Sequence, residues 1–154
     1  MKYSIDTSAI LDGWRRYYPP DVFPQVWSKL DELINDGILI ATEEVLLELE
    51  KKDDEVHKWA KGRSHMFIPI DTLIQMEVSK ILKAHKKLID ERKNRSGADP
   101  FVIALARMKD CTVLTGERPS NSNNRPHIPD VCNALSIHWV NMLEMFREQG
   151  WVFR

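Results

Sequence analysis

Five acidic side chains stand at the ends of short apolar runs: Asp6, Glu48, Asp99, Glu117 and Asp130. At such positions a strand gives way to a loop, or a helix begins. Reactive groups of open α/β sheets collect beyond the carboxyl ends of the strands, so carboxylates at these points are candidates for chemistry. Clustered carboxylates repel one another unless a cation neutralises them. The pattern therefore indicates a metal site built from acidic side chains.

The available donor atoms favour Mg²⁺ or Mn²⁺ over zinc at such a site. The five histidines show no ligand spacing, and the two cysteines, Cys111 and Cys132, form no C-x-x-C pair. Hard oxygen ligands are typical of Mg²⁺ and Mn²⁺ sites. A bound divalent ion would neutralise the acids and lower the pKa of a coordinated water, which makes that water a nucleophile for hydrolysis.

The segments that must position these acids alternate between strand and helix patterns. The run over residues 2–11 begins as a buried strand that stops at Asp6. Strand patterns also cover residues 38–41, 66–70 and 111–114, and helix patterns cover residues 9–18, 22–36, 53–62, 72–87 and 139–149, with further helices starting near Thr42 and Asp99. This alternation predicts an α/β fold with a parallel or mostly parallel sheet and helices on both sides.

Most of the acids also have an ordinary structural explanation. Asp6 could cap the helix that follows it. Asp99 could be the N-cap of a helix whose first residue is Pro100, which is a standard helix start. Glu117 could be a solvated loop acid. Glu48 is harder to explain in this way, because it lies among leucines, and a carboxylate near an apolar face needs a partner or a metal.

Length and composition limit the class of protein. The chain has 154 residues, of which 43 % are hydrophobic and 29 % charged, and its net charge is −1. We expect one domain over residues 1–154. No apolar run approaches the roughly 20 residues that span a bilayer, and no export signal is evident, so we expect a cytoplasmic protein without membrane contact.

Taken together, the acidic segments resemble the PIN domain of metal-dependent ribonucleases, and especially the VapC-type toxins of toxin–antitoxin pairs. Members of that family open with a strand ending in aspartate, then Thr-Ser and an apolar helix, as residues 3–11 do. The family's helical glutamate before a leucine is matched by Glu48 and Leu49. Its Ala-Asp start to an alanine-rich apolar helix is matched by residues 97–106, which is the most specific match.

The fourth family element is a strand ending in Thr, one residue, then an acid. Thr115-Gly116-Glu117 has this form, but most relatives carry aspartate at the last position, soon followed by phenylalanine. Glu117 is therefore the least secure ligand, and Asp130 is its rival. The sequence slightly favours another explanation of Asp130, as the N-cap of the next helix.

The resemblance implies a three-layer α/β/α fold with a mostly parallel central sheet. It implies an endoribonuclease in which Mg²⁺ or Mn²⁺ activates water to hydrolyse RNA, leaving 5′-phosphate and 3′-hydroxyl ends. The acids so implied as catalytic are Asp6, Glu48, Asp99 and Glu117. The implied metal ligands are Asp6, Asp99, Glu117 and Asp130, and the hydroxyls implied to orient them are Thr7, Ser8 and Thr115.

RNA needs cations around an acidic pocket, and several lie on segments that flank Asp99 and Glu117. The candidates for phosphate contacts are Arg92, Lys93, Arg95, Arg118 and Arg125. The resemblance further implies a homodimer and a cognate antitoxin. The altered fourth acid leaves one alternative open, a PIN-like module that has lost catalysis and binds RNA or protein.

Overall fold

The structure, a computed structural model, describes residues 1–88, 97–122 and 124–154. The strands of these ranges are β1 (Lys2–Ile5), β2 (Leu39–Thr42), β3 (Phe67–Ile68), β4 (Cys111–Leu114) and β5 (Trp139–Val140). They form one sheet in the order β3-β2-β1-β4-β5, and every neighbouring pair is parallel. The predicted α/β class is confirmed, with a sheet that is wholly parallel in the described part of the chain.

Helices fill the connections between the strands. The α-helices are α1 (Thr7–Asp12), α2 (Pro24–Asn35), α3 (Glu43–Lys52), α4 (Asp54–Lys61), α5 (Thr72–Ala84), α6 (Asp99–Lys109), α7 (Ile128–Ala134) and α8 (Met142–Glu148). A π-helical turn over Gly13–Tyr17 extends α1, and a 3₁₀ turn over Ser64–Met66 precedes β3.

Helices lie on both faces of the sheet, as the side chains of β1 demonstrate. Successive side chains of a strand point to opposite faces. The Ser4 hydroxyl donates a 2.9 Å hydrogen bond to the carbonyl of Val102 in α6. The neighbouring Tyr3 hydroxyl donates a 2.9 Å hydrogen bond to Glu148 at the end of α8. The predicted three-layer arrangement is therefore confirmed.

The core is centred on α6, which packs against α5, β1 and β4. A helix that is apolar around its whole circumference must be buried on all sides. The segment over residues 102–106 has this character, and its side chains are almost completely excluded from solvent. Burial on both flanks fixes the helix and therefore the position of Asp99 at its first turn.

The predicted helix over residues 139–149 is wrong at its start. Trp139–Val140 instead forms the edge strand β5, which pairs with Val113 and Leu114 of β4. Large aromatic and β-branched side chains favour a strand at this position. Asn141 then caps α8, because its side chain accepts from Glu144 N while the Glu144 carboxylate accepts from Asn141 N.

The helix predicted over residues 9–18 also differs from the observed chain path. It begins earlier, at Thr7, and its α-helical part ends at Asp12. The chain then continues as the π-helical turn, which ends when Tyr18 N donates to the carbonyl of Gly13. Single π-helical turns are frequent at functional sites. This one lies beside both cavities described below.

The order of strands reverses between β1 and β4, since the chain runs from β1 to β2 on one side and from β4 to β5 on the other. In open parallel sheets, ligands bind in the crevice outside the carboxyl ends of the strands at such a point. Ile5 pairs with Leu114, the last residues of their strands. The next residues, Asp6 and Thr115, therefore face each other across the crevice.

The helices of the described ranges include none that is long and apolar enough to cross a membrane.

Candidate acidic site at the ends of β1 and β4

Asp6 lies at the centre of the crevice and is only 2 % exposed. Its carboxylate accepts hydrogen bonds from Ala9 N (2.8 Å), Ser8 Oγ (2.8 Å) and Thr115 Oγ1 (2.6 Å). The bond from Ala9 N makes Asp6 the N-cap of α1. Burial and the charge of Glu117 nevertheless raise the pKa of Asp6 to about 7. A cation bound near this carboxylate would lower its pKa again, because a nearby positive charge favours the ionised form.

Two of the predicted hydroxyls connect Asp6 to the segment after β4. Ser8 Oγ donates to Asp6 and accepts from Gly116 N at 3.0 Å. Thr115 Oγ1 donates to Asp6 and accepts from Glu117 N at 3.0 Å. Because each hydroxyl contacts both the acid and the opposite backbone, the pair fixes the Asp6 carboxylate relative to Glu117.

The third predicted hydroxyl, Thr7, contacts a different acid. Thr7 Oγ1 donates to Glu48 Oε1 at 2.5 Å. Glu48 is half-buried on α3, in the turn that precedes the buried Leu49. This hydrogen bond ties α3 to the start of α1 and turns the Glu48 carboxylate toward the crevice.

Asp99 is 9 % exposed and occupies the first helical position of α6. The explanation of Asp99 as an N-cap is wrong, because the cap position belongs to Ala98 and Pro100 is the second helical residue. Proline in the first turn needs no backbone hydrogen-bond partner, so this helix start is compatible with Pro100. The Asp99 side chain lines the same crevice as Asp6.

Four predicted acids thus line one pocket of about 290 Å³: Asp6, Glu48, Asp99 and Glu117. They come from four segments that are far apart in the sequence. Three further charged side chains that sequence reasoning missed also line it, namely Asp12, Arg15 and Lys52. The spacing could have indicated Asp12, because residues four apart share a face of a helix and Asp12 follows Ser8 at that distance.

Asp130 is not among the residues that line this pocket, and its side chain contacts the loop that follows β4. Its carboxylate accepts from His127 N (2.7 Å), Asn121 N (3.0 Å), and both the backbone N and the hydroxyl of Ser120 (2.9 and 2.7 Å). Burial would raise the pKa of Asp130, but these hydrogen bonds outweigh it and lower the pKa to about 2. The N-cap explanation needs correction too, since His127 is the cap and Asp130 is the third residue of the capping box.

The predicted phosphate-binding cations are only partly accounted for. Arg92, Lys93 and Arg95 lie outside the described residues. Arg118 lines a neighbouring cavity rather than the acidic pocket, and Arg125 is exposed. Among the described residues, the cations that line the pocket are Arg15, which is paired with Asp53 at 2.9 Å, and Lys52.

The donor atoms of the pocket suit a hard divalent ion. Burial, with the charges of Asp6 and Glu117, raises the pKa of the Cys132 thiol to about 12, and burial raises that of Cys111 to about 11. Neither thiol ionises near neutral pH, so carboxylate oxygens are the available ligands. In the described ranges, no three His, Cys, Asp or Glu side chains converge closely enough to hold an ion together. Mg²⁺ usually keeps several waters and takes one or two carboxylates, which this pocket can offer.

The described residues form a parallel α/β domain with an acidic crevice at the point where the order of strands reverses. The chain belongs to DUF4411, a domain family of unknown function whose match spans residues 3–153. No curated protein matches the sequence.

Two solved structures resemble the fold over nearly the whole chain. The crystal structure of VapBC2 from Rickettsia felis, bound to a DNA fragment from their promoter, matches with a TM-score of 0.56 and 14 % identity, covering 92 % of this chain and 98 % of the other. The crystal structure of FitAcB from Neisseria gonorrhoeae matches with a TM-score of 0.53 and 18 % identity, covering 90 % and 96 %. At these identities the similarity shows the fold. The predicted resemblance to VapC-type PIN domains is confirmed at that level.

Proposed function

We propose that this chain is a divalent-metal-dependent endoribonuclease of the PIN type, acting as the toxin of a toxin–antitoxin pair, with residues 1–154 as one domain. The observation that carries the proposal is the acidic pocket. Asp6, Glu48, Asp99 and Glu117 line one space at the point of the sheet where strand order reverses. So many carboxylates in one crevice are costly in folding and are retained where a cation and a substrate are to be bound.

We assign Mg²⁺ or Mn²⁺ to this pocket, and we propose that the one or two carboxylates that contact the ion directly belong to Asp6, Asp99 and Glu117. When bound, such an ion would supply the positive charge that a phosphodiester needs and would make a bound water acidic. Asp6 is held for this task by the Ser8 and Thr115 hydroxyls. Asp130 is left out of the proposed set, because four hydrogen bonds within its own loop already engage its carboxylate.

To Glu48 we assign removal of the proton from the attacking water. Its carboxylate is oriented by Thr7 and lines the pocket opposite the loop after β4. The water oxygen then bonds to phosphorus as the bond from phosphorus to the 3′ oxygen breaks. The 3′ oxygen takes up a proton from solvent, which leaves a 5′-phosphate and a 3′-hydroxyl. A carboxylate that reaches the reacting water contributes typically 10²–10⁴-fold as a general base.

RNA can approach the acids because cations stand at the pocket edge. Arg15 and Lys52 line the pocket, and the Arg15 guanidinium is held by Asp53 and by the carbonyl of Lys52. We assign to these two side chains the contacts to the phosphates that flank the scissile bond. The VapC-type resemblance further motivates a cognate antitoxin and a homodimer as partners.

The second candidate is a PIN-like module without catalysis that binds RNA or protein. Two observations favour it. Glutamate replaces the usual aspartate at position 117, and within the described ranges the acids line the pocket without converging into a three-ligand cluster.

The deciding experiment is to incubate the purified protein with total cellular RNA in Mg²⁺ or Mn²⁺, with EDTA in a parallel reaction, and to map the ends produced. We expect ion-dependent cleavage that Asp99→Asn abolishes. The matched control is Asp21→Asn, an exposed acid outside the pocket, which should cleave like the natural protein. RNA binding that persists in Asp99→Asn, with no cleavage in either ion by a folded protein, would support the binding module instead.

A further inference from the structure

A second cavity of about 420 Å³ lies beside the acidic pocket, between the π-helical turn and the segment from β5 to α8. The two spaces share Asp12 and Glu117 as a common wall. An RNA strand whose phosphate is held at the acidic pocket by Arg15 and Lys52 can therefore place its next nucleotide in this cavity.

The walls of the cavity are largely aromatic and apolar. Tyr18 is half-buried; its carbonyl accepts from Trp27 Nε1 at 2.6 Å, and its ring packs against Phe146. Trp139 is held by a 2.9 Å hydrogen bond from its Nε1 to Asn133 Oδ1. These two aromatic side chains are rigid before any ligand arrives, so little conformational freedom would be lost on binding.

The mouth of the cavity carries large apolar side chains that face solvent. Tyr17 is 61 % exposed and Leu143 is 46 % exposed, and the centroid of the Tyr17 ring lies 6.4 Å from that of Tyr18. Exposed aromatic side chains beside a nucleic-acid site are typical stacking platforms.

Glycine is required where the cavity meets the acidic pocket. A Cβ on Gly116 would lie 2.6 Å from Asp12 Oδ2 and 3.2 Å from the backbone oxygen of Ser8. The absence of a side chain at Gly116 allows Asp12 and Ser8 to lie this close to its backbone.

We propose that this cavity binds a nucleobase of the RNA, that of the nucleotide next to the phosphodiester in the acidic pocket. The inference deepens the proposed function and rests on it. A nucleobase is flat and uncharged and carries N–H groups, so it is complementary to aromatic walls interrupted by the carboxylates of Asp12, Glu117 and Glu144. A bare phosphate would be repelled by those carboxylates. Arg118, at the same cavity, is placed for the phosphate on the far side of that nucleotide.

The test measures binding in EDTA, where cleavage is absent, with RNA decamers of each base composition and an abasic ribose-phosphate decamer of the same charge. We expect the base-bearing decamers to bind at least tenfold more tightly than the abasic one. Tyr17→Ala should remove that tenfold difference, whereas Tyr17→Phe should keep it, because stacking needs the ring and not the hydroxyl. Val22→Ala, an equally exposed apolar residue at another surface, is the matched control.

Equal affinity for abasic and base-bearing decamers would overturn the proposal, as would a Tyr17→Ala variant that binds like the natural protein. An arginine-containing peptide that binds the cavity and is not displaced by RNA would indicate a protein partner, and this result would also overturn the proposal. Cleavage in Mn²⁺, measured in parallel, separates the two claims. Base-dependent binding without cleavage would support nucleobase binding in the cavity and contradict the proposed nuclease activity. Cleavage without base-dependent binding would support the nuclease activity and contradict nucleobase binding.

Discussion

The hydroxyl of Thr115 donates a 2.6 Å hydrogen bond to Asp6 Oδ2, although the two residues lie 109 positions apart in the sequence. The pairing of Ile5 with Leu114 brings them together, because each is the first residue after its strand. Thr115 also accepts from Glu117 N, so one hydroxyl orders both sides of the crevice. Loss of this hydroxyl should therefore affect ion binding more than packing.

Thr115→Val tests that relationship, since valine keeps the side-chain shape and removes the hydrogen bonds. We expect the affinity for Mn²⁺ to fall about tenfold, as is usual when a residue orienting a ligand is lost. The free energy of unfolding should fall by roughly 1–3 kcal/mol, because buried polar partners lose a hydrogen bond. Calorimetric titration and urea unfolding measure the two effects.

Thr115→Ser is the matched control for this change, because serine retains the donor to Asp6. It should recover most of the Mn²⁺ affinity. An unchanged affinity in Thr115→Val would show that the hydroxyl does not orient an ion ligand.

Asp6→Asn should stabilise the protein at pH 8 in EDTA. The pKa of Asp6 is raised from 3.8 to about 7 in the folded protein. The folded state therefore binds more protons than the unfolded state in this interval, and the contribution of Asp6 to stability is complete below pH 3.8 and lost as the pH rises through 7. We expect the variant to gain roughly 1–3 kcal/mol at pH 8 and much less at pH 5. Urea unfolding at the two pH values measures this, and an equal loss of stability at both would contradict it.

Glu117→Gln and Asp130→Asn separate the two candidates for the fourth acid. Glu117 lines the acidic pocket, so Glu117→Gln should weaken Mn²⁺ binding and RNA cleavage at least tenfold with little change in stability. Asp130 accepts four hydrogen bonds in its own loop, so Asp130→Asn should lower the free energy of unfolding by roughly 1–3 kcal/mol and leave Mn²⁺ affinity unchanged.

The pH dependence gives a second check on Asp130. Its pKa is lowered to about 2, so its contribution to stability is present above its ordinary value of 3.8 and is lost as the pH falls toward 2. Asp130→Asn should therefore remove part of the acid sensitivity seen between pH 4 and pH 2. A variant of Asp130 that loses Mn²⁺ binding while remaining fully stable would reverse the assignment of the two acids.

Gly116→Ala should destabilise the protein, because its Cβ would crowd Asp12 and Ser8. The added Cβ would lie 2.6 Å from Asp12 Oδ2 and 3.2 Å from both oxygens of Ser8. The Asp12 side chain can turn away, but the Ser8 backbone cannot, so we expect a loss of roughly 1–3 kcal/mol from overpacking, with cleavage reduced. Gly62→Ala is the control, because its Cβ would meet nothing closer than 3.5 Å. Thermal unfolding and cleavage assays measure the outcome, and a Gly116→Ala variant as stable as the natural protein would contradict the prediction.

The sequence alone determined the local chemistry of this protein. The strand that ends at Asp6, the fully apolar helix after Asp99 and the cap of α3 at Thr42 were all predicted, because each depends on residues within one or two turns of each other. The parallel sheet followed from the alternation of such segments. The prediction from local pattern was wrong at Trp139–Val140. These residues pair with β4, and that pairing outweighed the helical periodicity of the residues that follow.

Only the tertiary structure decided which side chains meet. The register of β1 against β4 brings Thr115 to Asp6, and the packing of α3 against α1 brings Glu48 to Thr7. The path of the loop after β4 places Glu117 at the pocket and gives Asp130 its own hydrogen bonds. Arg15 and Lys52 line the pocket because the π-helical turn that carries Arg15 lies beside the end of α3. These contacts join residues tens of positions apart, and the pairing of distant segments is set by the packing of the whole core, which no local pattern encodes.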